Sequence, residues 1–138
     1  RDMDNPQVQS GAELFNAVGC AACHTPRHQT GELAERPDLS NQTIWPYTDL
    51  LLHDMGPALA DGRSEFLADG NEWRTAPLWG IGLAQQVNPR AGFLHDGRAR
   101  TLEEAILWHA GEAESAANQY RQLPLALRES MLAFLNSL

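Results

Sequence analysis

The 138-residue chain has two cysteines, and they lie three positions apart in Cys20-Ala21-Ala22-Cys23-His24. Thiols at that spacing on a helical turn can each add to one vinyl group of a porphyrin, which pins the adjacent histidine beneath the iron. The pattern predicts one covalent haem c, attached through Cys20 and Cys23, with His24 as proximal iron ligand. Three other uses of a C-x-x-C pair fit less well. A redox dithiol opens a helix after a strand, in a βαβ setting, whereas here a helical pattern precedes the motif. A zinc site asks for about four ligands in recurring pairs, and His28, His53, His95 and His109 show no paired spacing. A disulfide across two intervening residues closes almost no loop and would stabilise little.

The elements that must position this motif can be read on either side of it. Residues 6–19 form an amphipathic helical pattern, with Val8, Gly11, Ala12, Phe15, Val18 and Gly19 on one face. Residues 25–50 are broken by Pro26, Pro37 and Pro46, with a weak strand signal over 42–45. Residues 61–96 read as a long loop with a helical turn at 64–68; a loop of that length needs something besides helices to pack on. A haem would supply it. Thr101-Leu102-Glu103-Glu104 is a capping box opening a helix that places Leu102, Ala105, Ile106 and His109 on one face, with Gly111 as its stop. Pro124 suits the first position of a last helix, whose stripe is Leu127, Met131, Phe134, Leu135 and Leu138. The expected fold is all-α: cytochrome c-like helices around one covalently bound haem, with long loops.

This arrangement resembles a class I cytochrome c. Gly11 and Phe15 match the small and aromatic residues at which the first helix of that fold crosses the last, with Phe134 as the aromatic partner. Gly56-Pro57-Ala58-Leu59 resembles the turn whose proline carbonyl holds the proximal histidine. A closer resemblance runs through Asp49-Leu50-Leu51-Leu52-His53-Asp54-Met55-Gly56, Arg74-Thr75-Ala76-Pro77-Leu78-Trp79-Gly80 and Phe93-Leu94-His95-Asp96-Gly97-Arg98-Ala99-Arg100-Thr101-Leu102-Glu103-Glu104-Ala105-Ile106. Together these are similar to the C-terminal haem domain of the di-haem oxidoreductases (thiol oxidoreductases), relatives of bacterial di-haem cytochrome c peroxidases and MauG-type enzymes. The resemblance implies two haem domains in the whole protein, and only one C-x-x-C-H stands here. Residues 1–138 would be a single haem domain, either from the C-terminal part of a longer di-haem protein or a stand-alone relative, with the first expected. The missing half would hold the haem at which peroxide or substrate reacts.

For the second axial ligand His109 is the favoured candidate, with Met55 second. His109 shares an apolar helix face and falls, by the resemblance, where related peroxidases carry a helix-borne methionine or tyrosine ligand. Met55 is a common ligand type, but its place beside Gly56-Pro57 puts it near the proximal side; His53 shares that objection. An open or water-bound iron is the third reading. His95 suits a loop anchor or propionate contact, and Met131 the helix core. Among the arginines, Arg98 beside the His-Asp-Gly turn is the candidate propionate contact, since guanidinium matches carboxylate geometry. Trp73, Trp79 and Trp108 fit core or haem-edge packing better than an electron relay. Glu103, Glu104, Glu112 and Glu114 read as a solvated face and cap, so no catalytic residue is assigned.

The net charge of −8, from 18 acidic and 10 basic residues, argues against nucleic acid and would suit a basic redox partner. No run is apolar enough for a transmembrane segment. The chain starts at Arg1, so a mature or excised piece of an exported, periplasmic protein is expected. The function expected is electron transfer, accepting or storing electrons for a larger oxidoreductase and not catalytic alone. The alternative is a catalytic haem acting on peroxide or thiols. The partner is a redox protein or a second haem domain, and the sequence leaves oligomeric state undefined.

Overall fold

Asn5 and Pro6 start the first helix: the Asn5 side chain accepts a hydrogen bond from the Gln7 amide, and Pro6 takes the first helical position. The computed structural model describes residues 2–138. Helix α1 (Pro6–Ala17) buries Val8, Gly11 and Phe15, as the periodicity predicts. The last helix, α5 (Leu125–Asn136), buries Ser130, Met131, Phe134 and Leu135. Pro124 is its cap, one residue earlier than expected.

The two helices cross at Gly11. A Cβ built there would lie 2.0 Å from the Ser130 carbonyl oxygen and 2.7 Å from Phe134 Cβ. Beside the crossing, Phe15, Tyr47 and Phe134 form a three-ring cluster with centroids 5.4–6.0 Å apart. Edge-on and tilted contacts of this kind are favourable beyond the area they bury. Val8, Leu78 and Leu135 complete that core, while Val18, Tyr120 and Met131 form a second one next to it.

The crossing yields a stability prediction. Alanine gains about 1 kcal/mol over glycine in helix propensity. At Gly11 the opposing atom is backbone and cannot rotate away, and overpacking of this sort costs roughly 1–3 kcal/mol. The clash outweighs the propensity, and because its branched side chain is larger, Gly11→Val is expected to be worse than Gly11→Ala. The check is the urea midpoint, which should fall for both and further for valine; an unchanged midpoint would contradict the close crossing.

The middle of the chain departs from the all-α expectation. The fold is helix-rich with two short antiparallel sheets: β1 (His28–Gln29) with β2 (Thr43–Ile44), and β3 (Leu52–Asp54) with β4 (Glu72–Arg74). In the second sheet His53 stands opposite Trp73. Strands of two or three residues are too short to show a period of two, so only the β2 region left any trace in sequence. Residues 64–68 form no helical turn; Glu65 and Ala68 exchange backbone hydrogen bonds around a tight turn with Phe66 at φ +52°.

After a one-turn helix α2 (Ala84–Val87), α3 (Leu102–Trp108) opens on the predicted cap, with the Thr101 hydroxyl accepting from the Glu104 amide at 3.0 Å. The reciprocal bond is displaced by one residue, since the Glu104 carboxylate accepts from the Arg100 amide. The helix ends at Trp108 and leaves His109 in an extended conformation, before the predicted stop at Gly111. Gly111, at φ +54°, instead opens a 3-10 turn (Gly111–Ala113) that feeds α4 (Glu114–Gln122). Helix α4 had no sequence expectation, because only Ala117 and Tyr120 of its nine residues are buried. Among the described residues no helix is long and apolar enough to cross a membrane.

Candidate functional site

Gly19 ends α1 at φ +93°, a left-handed turn that glycine makes without strain. The chain then winds through a 3-10 turn, Cys20–Ala22, and the His24 amide donates to the Cys20 carbonyl at 3.0 Å. Both cysteines are free and half-buried. Burial pushes the Cys20 thiol up to about 11. Burial, followed by the Asp49 and Glu112 carboxylates, pushes Cys23 up as well. Redox dithiols need the opposite shift, toward the thiolate. These sulfurs suit a neutral state, and a thioether is neutral.

The rings of His24 and His109 lie next to each other, their planes tilted by 50°. His24 donates from Nδ1 to the Tyr47 carbonyl at 3.0 Å, and His109 donates from Nδ1 to the Ala105 carbonyl at 2.7 Å. A carbonyl only accepts, so both rings are fixed with the lone pair on Nε2. Burial holds both imidazoles below their ordinary pKa, His24 down to about 4, and so both are neutral at pH 7. A neutral imidazole whose other nitrogen donates to a backbone carbonyl is how proteins prepare a metal ligand. The ring centroids are 6.4 Å apart. A histidine nitrogen binds a first-row metal at about 2.0 Å and lies roughly 1.1 Å from its ring centroid, so two imidazoles across one metal are about 6 Å apart. The donor set fits a haem iron.

The carbonyl that holds His24 belongs to Tyr47, not to Pro57 of the Gly-Pro turn to which the resemblance pointed. Tyr47 has φ +56° and Leu50 φ +63°, conformations that cost a non-glycine residue on the order of 1–3 kcal/mol each. The segment between them is laced to the motif: the Thr48 amide donates to the Thr25 carbonyl, the Asp49 amide to the Cys23 carbonyl, and His28 to the Thr48 carbonyl. The Gly-Pro turn serves the other side. Gly56, at φ +77°, lies against Gly111, where a Cβ would come 2.2 Å from the Asp54 carbonyl oxygen. This contact seats the His109 segment on the end of β3.

The other candidate residues sit as follows. Both nitrogens of His53 are engaged by carboxylates, Nε2 by Asp49 at 2.8 Å and Nδ1 by Glu112 at 2.9 Å, which leaves no lone pair for a metal. The same pairing bears on the close trio of Cys23, Asp49 and His53, whose donor atoms lie within 4.8 Å of one another. Met55 is half-buried just past β3, its amide bonded to the Asn71 carbonyl. Met131 is fully buried in the helix core. His95 stacks on Trp73 at 3.5 Å, nearly parallel. Arg98 bonds Asp96 through Nε and the Ala58 carbonyl through Nη1, and lies over the Trp108 ring. Sequence reasoning missed Tyr47 and Asp49, and took Glu112 for a solvated cap.

Over residues 1–138 the sequence matches the family described as "Di-haem oxidoreductase, putative peroxidase". The chain belongs to the di-haem oxidoreductase family. No curated protein and no solved structure matches it. Membership brings haem binding and a redox role with it. In this di-haem oxidoreductase family member, the facing histidines and the cysteine pair stand together at the junction of α1, the Tyr47 loop and the end of α3.

Proposed function

We propose that this chain is a c-type haem electron-transfer domain, the C-terminal part of a longer di-haem oxidoreductase, which accepts or stores electrons for the reaction at a second haem. The observation that carries the proposal is the pair of neutral, carbonyl-anchored imidazoles facing each other at 6.4 Å. Cys20 and Cys23 would hold the haem covalently, with His24 as proximal and His109 as distal ligand, and Met55 is the second choice for the distal place. Bound there, the haem supplies a one-electron iron couple.

The protein's own residues do the rest. The Tyr47 and Ala105 carbonyls orient the two rings, so neither ligand has to reorganise between oxidation states. Phe15 lies 6.2 Å from the His24 ring and Tyr47 packs against Phe15, which keeps water from the proximal side. With His24 and His109 both holding the iron, no position on it would be left for substrate, which favours transfer over catalysis. Two histidines also set a lower potential than a histidine–methionine pair would. The charge of −8 favours docking with a basic redox partner, and the reading extends to a periplasmic location.

Peroxide discriminates between this reading and a catalytic one. Reduced protein mixed with hydrogen peroxide alone should reoxidise slowly, while a small electron acceptor should oxidise it within the mixing time. Rapid, saturable consumption of peroxide or thiols would assign catalysis to this domain instead.

A further inference from the structure

His53 stands between two carboxylates. Its Nε2 bonds Asp49 Oδ2 at 2.8 Å and its Nδ1 bonds Glu112 Oε2 at 2.9 Å. Carboxylates accept, so both ring nitrogens donate and the ring is an imidazolium. Asp49 belongs to the proximal loop: its amide donates to the Cys23 carbonyl, and it follows Tyr47, which orients His24, by two residues. Glu112 belongs to the distal turn three residues after His109, and its Oε1 accepts from the Asp54 amide at 3.0 Å. The segments carrying the two facing histidines are thus tied to each other through one side chain of β3.

We infer that Asp49, His53 and Glu112 form a clamp that seats the His109 segment, so that His53 is a positioning residue deciding whether the distal place is closed. The inference rests on the reading of His109 as distal ligand. Glu112 is the weaker end of the clamp: its side chain is 56 % exposed against 13 % for Asp49, and Asp49 also accepts from the Leu51 amide. Without the bond from His53 the distal turn keeps only the Glu112–Asp54 bond and the contact of Gly111 with β3.

The test uses the haem-loaded protein, with carbon monoxide as the probe of an open iron and amide hydrogen exchange over residues 109–113 as an independent readout. The wild type should be low-spin at pH 6 and should bind carbon monoxide slowly. Glu112→Gln, a change at an exposed side chain, should bind about tenfold faster, the size of a usual coupling, and exchange faster over 109–113. His53→Gln should do the same. A low-spin wild type whose rate and exchange match both variants overturns the clamp and leaves the His109 reading standing. A wild type that is high-spin at pH 6 overturns both.

Discussion

Serine in place of both Cys20 and Cys23 leaves the denatured chain without haem. The wild type, made in cells that attach haem to exported proteins, is expected to keep its haem colour through denaturing electrophoresis, because the link is a thioether bond to each sulfur. In the double variant the axial histidines still face each other, so haem can enter the folded protein but is lost on unfolding. The single variants Cys20→Ser and Cys23→Ser should each retain one bond. Cys20 is the more buried of the two sites in its thiol's surroundings, its pKa driven to about 11 chiefly by burial, so a serine hydroxyl there also costs more stability. Retained haem in the denatured double variant would show that attachment does not use these sulfurs.

His109→Ala is expected to convert a six-coordinate, low-spin iron into a high-spin one that binds carbon monoxide and reacts with peroxide. The reason is geometric: among the described residues, His109 is the histidine whose ring faces His24, while both nitrogens of His53 are taken by carboxylates. The effect is large because removing an axial ligand changes the coordination number outright. Two other results are informative. A variant that stays low-spin with a raised potential would pass the role to Met55, since thioether ligation raises the potential. A variant spectrally identical to the wild type would remove His109 from the iron.

What could be read in the sequence was whatever is local or periodic. The cysteine motif is five consecutive residues, whereas Gly19, read as the end of the helix face, instead makes the left-handed turn that ends α1 and leads into the motif. Helices α1 and α5 declare themselves by period, and Gly11, Phe15 and Phe134 meet where the cytochrome c resemblance put them. The departures have physical reasons. The bond that orients His24 comes from a backbone carbonyl, which every residue possesses, so nothing in the identity of Tyr47 marks it as the partner. The strands around His53 are three residues long, and a pattern that short cannot be told from loop. Glu112 looks like any solvated glutamate until the fold brings it beside His53, fifty-nine positions away in sequence. The conformations of Tyr47 and Leu50 are set by tertiary contacts against local preference, and such strain gathers at functional sites.

The proposal stands on one iron held between His24 and His109, and the optical spectrum of the haem-loaded wild type tests that most directly. At neutral pH, oxidised and then reduced with dithionite, the protein should show a sharp low-spin α band that carbon monoxide displaces only slowly. A high-spin spectrum that shifts at once with carbon monoxide would contradict the account, because the iron would then have an open sixth position and the chain would be built for catalysis.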